Sequence, residues 1–150
     1  MLAAIRKFLD EYSLPAADDK SGAEDELRLA VALLLMDVAR ADLDISEEER
    51  QVARQLLEQI FPVSSEEAQA LVDAAQREAE RATSLYPFTS RINRECDLEE
   101  RARIVGMLWR VSRTDGKIDA HEEHLVRKVA DLLYVPHSRF IQTKLEQTNE

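Results

Sequence analysis

Four capping boxes are read as helix starts in this chain of 150 residues, each with a capping residue three positions ahead of a glutamate. The four are Ser46-Glu47-Glu48-Glu49, Ser64-Ser65-Glu66-Glu67, Asp97-Leu98-Glu99-Glu100 and Asp119-Ala120-His121-Glu122. In such a box the first side chain accepts from an N–H of the first helical turn that has no partner inside the helix. The glutamate in turn accepts from the N–H of the cap. Each box therefore announces a helix start, and apolar residues recur at helical spacing behind every one of them. Glycine (3) and proline (4) are too scarce for the many tight turns of an all-β domain. The reading is an all-α single domain of about seven or eight helices, long enough to bury a core without disulfides.

The periodicity places the helices. Leu2, Ile5, Phe8, Leu9 and Tyr12 make one stripe, interrupted by Pro15 and the polar stretch 16–22. A second helix runs from about Ala23 to Ala41 and is apolar nearly all round, as a central helix is. A third carries Val52, Ala53, Leu56, Leu57 and Ile60, and a fourth Ala68, Leu71, Val72, Ala75, Ala79 and Ala82. A short fifth falls around Phe88–Cys96. The sixth, with Val105, Leu108, Trp109 and Val111, again reads as central. Two more follow, through Leu125–Leu133 and after Pro136. Residues 1–22 read as an N-terminal helix with an acidic linker, and residues 23–150 as the helical domain.

Charge and composition narrow the function classes. The formal net charge is −10. Residues 1–75 hold 17 Asp and Glu against 7 Lys and Arg, whereas residues 76–150 hold 13 of each. Such a surface repels nucleic acid, so no nucleic-acid partner is expected. It suits cations or basic proteins, and the acidic residues Asp18, Asp19, Glu24 and Asp25 offer themselves to a basic partner surface. The single cysteine, Cys96, has no partner for an internal disulfide, so a cytoplasmic location is expected. The longest apolar run, Leu29 to Met36, is far short of the ~20 residues that cross a bilayer, so an integral membrane protein is not expected. The Met1–Tyr12 stripe is read as packing on the domain's own core, with peripheral membrane or partner anchoring as the alternative.

Shifted by 73 residues, the chain aligns with itself. Leu35 falls on Leu108, Val38 on Val111, Arg40 on Arg113, Asp42 on Asp115, Ile45 on Ile118, Glu49 on Glu122, Arg54 on Arg127 and Ser65 on Ser138. Met36 and Trp109 occupy matching positions, and both read as core. The unit is a buried helix, an acidic loop and an amphipathic helix. Two copies, about 25–82 and 97–146, predict two pseudosymmetric helix–loop–helix repeats packed about a pseudo-twofold axis.

At these loops the chain resembles a known family. Arg113-Thr114-Asp115-Gly116-Lys117-Ile118-Asp119-Ala120-His121-Glu122-Glu123, followed by Val129-Ala130-Asp131-Leu132-Leu133, resembles the second half of a domain of the tellurite resistance protein B (TerB) family. Ala41-Asp42-Leu43-Asp44-Ile45-Ser46-Glu47-Glu48-Glu49 resembles its first half. The resemblance covers roughly residues 25–145. It implies an all-helical domain with internal pseudosymmetry and a role in bacterial stress-response systems linked to tellurite, phage or metal challenge. It brings no enzymatic activity and a suspected metal site among the acidic residues. Leu43 departs from the pattern, standing where the second copy has Gly116. A left-handed turn is harder for leucine, so the two loops are expected to differ in shape.

The loops also match the back half of an EF-hand, but the front half fails. Val111 and Arg113 stand where the first two calcium carboxylates belong, as do Val38 and Arg40 in the first copy. A shared site is the alternative. If the repeats pack face to face, Asp42, Glu49, Asp115 and Glu122 converge, and four nearby carboxylates call for a cation. Oxygen donors alone suit calcium, magnesium or manganese. The competing reading is that Glu49 and Glu122 merely complete their capping boxes and that Asp42 and Asp115 end the preceding helices.

The other candidates are bland. His121-Glu122-Glu123-His124 lacks the spacing of a zinc peptidase helix and reads as a solvated face. Cys96 has no triad around it and reads as a passive thiol rather than a redox sensor beside Arg94. Neither a phosphate loop nor a nucleophile–base pair is visible, so no catalytic or organic cofactor-binding residue is assigned. The expected function is a non-enzymatic, cytoplasmic stress-response module that binds a divalent cation and docks onto proteins. The alternative is a metal-free acidic scaffold. The oligomeric state is left open.

Overall fold

The computed structural model describes residues 19–40, 45–113 and 120–148. Among the described residues are seven α-helices and no strand: α1 (Asp19–Ala39), α2 (Glu47–Ile60), α3 (Ser65–Arg81), α4 (Tyr86–Glu95), α5 (Leu98–Ser112), α6 (Ala120–Leu132) and α7 (His137–Thr148). The stripe Leu2–Tyr12 lies outside the described residues. Helix α1 begins at Asp19 rather than about Ala23, so it includes part of the segment read as linker. The short helix expected at Phe88–Cys96 spans Tyr86–Glu95, with its proline inside the first turn, where a missing N–H costs nothing.

Three of the four capping boxes are formed in full, at Ser46/Glu49, Ser64/Glu67 and Asp97/Glu100. The cap residue of the fourth, Asp119, lies outside the described residues. Two helix C-termini are closed from elsewhere in the fold. Arg40 Nη1 donates to the Ala79 carbonyl at 2.7 Å at the end of α3. Asn93 Nδ2 and Arg101 Nη1 donate to the Leu132 and Leu133 carbonyls at 2.9 and 2.7 Å at the end of α6. These bonds satisfy carbonyls that have no partner within their own helix.

Helix α6 also ends in a Schellman arrangement, with Val135 N donating to Ala130 O at 3.0 Å and Tyr134 N to Asp131 O at 3.1 Å. That geometry needs a left-handed residue at Tyr134, whose φ is 54°. Glycine is the usual occupant, so tyrosine holds the turn at a steric cost.

Packing follows from the apolar pattern. From Leu29 to Met36 no residue of α1 is more than 2% exposed, because α2, α3, α4, α5 and α6 surround it. Helix α5 is the other central element, with Val105, Leu108, Trp109 and Val111 fully buried. Met36 and Trp109 are both core residues. Helices α2 and α6 each pack on both α1 and α5, while α3 lies along α1 and α2, and α7 along α5.

The helix ends follow the 73-residue offset in part. Helices α1 and α5 end at Ala39 and Ser112, and α2 and α6 begin at Glu47 and Ala120. The offset slips by one residue at the third helices, which start at Ser65 and His137. Buried Phe140 and Thr143 then match Ala68 and Leu71, so the alignment of Ser65 with Ser138 does not extend into the packing of α7. No described helix is long and apolar enough to cross a membrane.

Candidate functional site

The sequence nominates the two loops between a central helix and the helix that crosses it. Both positions flank described structure. The first falls between α1 and α2 in the sequence, and the second between α5 and α6. Of the four nominated carboxylates, Asp42 and Asp115 lie outside the described residues. Glu49 and Glu122 are described, each in the first turn of its helix.

Their surroundings differ. Glu49 is half-buried and closes the box of α2: its Oε1 accepts from Ser46 N at 3.1 Å, and its own N–H donates to Ser46 Oγ at 3.1 Å. Glu122 is only 4% exposed. Helices α2 and α6 both pack on α1 and α5, so the two glutamates belong to separate helices on the same central pair. Among the described residues no group of three or more His, Cys, Asp or Glu side chains is placed to hold a metal ion. The two described members are oxygen donors on helix first turns, a donor type that fits a hard cation rather than zinc or copper.

One acidic residue, Asp37, escaped the sequence reading, and another, Asp25, lies elsewhere than expected. Asp37 stands in the last turn of α1, next to the first loop. Burial pushes its carboxyl above the usual carboxylate range, and Arg40 and Lys128 of α6 pull it back down. Asp25 stands near the start of α1 and is only 4% exposed. Burial is also the main cause of its raised pKa, opposed by Arg28, whose Nη1 donates to Oδ1 at 3.0 Å. The Arg28 guanidinium in turn lies 5.7 Å from the centre of the Phe61 ring. Asp25 is therefore a core pair with Arg28, not the surface contact expected of it. Glu24 remains exposed, as do Glu47, Glu48 and Glu66. The Asp25–Arg28 spacing was visible in the sequence as a one-turn ion pair, but its burial depends on distant chain that covers it.

The remaining candidates are quiet. His121 and His124 are both exposed on α6. Cys96 is half-buried, and burial, reinforced by Glu100, Glu95 and Asp97, pushes its thiol up to about 11. A thiol so disposed is protonated at neutral pH and is a poor nucleophile.

Taken with the fold, these positions define a class: an all-α domain in which two central helices are each followed by a helix that packs on both. The family model for tellurite resistance protein TerB matches residues 28–145, which is well over half of the chain, and the chain belongs to that family. The match spans both nominated loops. No curated protein and no solved structure matches the chain.

Proposed function

We propose that this TerB-family domain is a non-enzymatic, cytoplasmic stress-response module that takes up a divalent cation at its paired acidic loops and docks onto partner proteins. The observation that carries the reading is the buried Glu122 carboxylate in the first turn of α6, beside the loop that holds Asp115. A carboxylate placed there is an oxygen donor of the kind a hard divalent cation takes. Asp42, Glu49, Asp115 and Glu122 are the proposed ligands, and calcium, magnesium or manganese the proposed ions.

Calorimetric titration of each ion into the chelator-stripped chain tests this, beside a Glu49→Ala/Glu122→Ala variant and an Asp42→Asn/Asp115→Asn variant that leaves the described glutamates in place. Heat from one ion, abolished in both variants, supports the site. At 100 times its dissociation constant the ion should add about 2.7 kcal/mol of stability. No heat from any of the three, with melting unchanged by chelator, removes it.

The second reading, a metal-free acidic adaptor, is favoured by Glu49, whose carboxylate already serves the cap of its own helix. Its signature is capture of a basic protein that chelators leave intact and salt weakens. Charge reversal at the exposed Glu47, Glu48 and Glu66 should abolish that capture. Capture indifferent to both salt and charge reversal counts against it.

A further inference from the structure

We draw no further inference here: the strongest candidate, the exposed apolar face of α7 at Ile141 and Leu145, carries nothing because nothing in the structure shows what covers it.

Discussion

Helix α3 and helix α7 each follow a helix that packs on both central helices, yet they are fastened differently. Helix α3 buries seven side chains, among them Ala68, Leu71, Val72, Ala75 and Ala79, against two neighbouring helices. Small residues along its length let it lie close to α1 and α2, and Arg50 of α2 reaches across to Asp73 and Gln76. Helix α7 buries Phe140 and Thr143 and packs mainly on α5. Its anchor is aromatic: the Phe140 ring sits 5.4 Å from that of fully buried Trp109, with Lys144 Nζ 5.5 Å from the same Trp109 ring. The ion pairs of α7, Lys144 to Glu123 at 2.6 Å and Arg139 to Glu99 at 2.7 Å, are exposed enough that solvent screens most of their attraction. Helix α3 is thus held along a continuous seam and α7 by a latch. Segments with few buried apolar contacts open first, so α7 belongs to the low-stability end of the molecule.

The largest expected effects come from cutting each fastening. Leu71→Ala should cost about 3 kcal/mol, through lost transfer energy and the cavity left behind. Because α3 is part of the seam, the loss should appear in global urea unfolding and lower amide protection in every helix. Phe140→Ala removes a still larger side chain, worth about 3–5 kcal/mol where its site is rigid. Its loss should instead fall on α7, with exchange over residues 137–148 becoming fast while α1 and α3 keep most of their protection. If Phe140→Ala lowers protection in all helices as evenly as Leu71→Ala, the latch is as much part of the core as the seam.

The helix starts sharpen the same contrast. Ser64 caps α3, whereas Pro136 holds the cap position of α7, where its carbonyl accepts from Phe140 N at 2.9 Å and its side chain offers no acceptor. Ser64→Ala should cost about 1 kcal/mol of global stability, seen as a lower denaturant midpoint with unchanged slope. A variant that unfolds at the wild-type midpoint would show that the seam of α3 does not depend on its cap.

The turn into α7 should respond in the opposite direction. Tyr134 is held left-handed and is 73% exposed, so the side chain returns little packing for the strain. Tyr134→Gly should stabilise the chain by about 1 kcal/mol or somewhat less, since the gain in the turn is partly offset by a freer unfolded chain. In a domain of this size that is a rise of roughly 2–4 °C in melting temperature per kcal/mol. A fall instead would mean that the tyrosine ring contributes packing its exposure does not reveal.

Much of this architecture was legible in the sequence because it is local. The boxes at Ser46, Ser64 and Asp97 are written in consecutive residues, and they form as written. The all-round apolar character of Leu29–Met36 marked a central helix before any partner was known, and the helix is central. The asymmetry between α3 and α7 was less visible. The 73-residue alignment placed Ser65 on Ser138, and only packing shows that the register has slipped by one residue at Phe140. The acidic character of the two nominated segments was legible, while their Asp42 and Asp115 lie outside the described residues. The different burial of Glu49 and Glu122 was not, since identical box positions say nothing about what folds over them. Asp25 is the clearest case. An Asp one turn before an Arg looks like a solvated pair, and it is distant chain, including Phe61 against Arg28, that brings it inside.

The subtlest test compares the two central helices through pH. Helix α1 carries Asp25 and Asp37, both raised by burial above the ordinary carboxylate value of 3.8. At the matching positions α5 has Leu98 and Arg110, so it adds no such groups. A carboxyl raised in the folded state keeps its proton at a pH where the unfolded chain has released it. The folded state then binds more protons, and stability falls as pH rises. The contribution is fully present below 3.8 and is lost as pH climbs through the raised folded-state values. The informative quantity is the difference between variant and wild type. Asp37→Asn, which keeps the shape and removes the charge, should flatten the fall in stability above pH 3.8 in urea titrations. Asp25→Asn should do the same, less the share lost when Arg28 gives up its anionic partner. A variant curve parallel to wild type across this range would show that the two central helices titrate alike, whatever their difference in sequence.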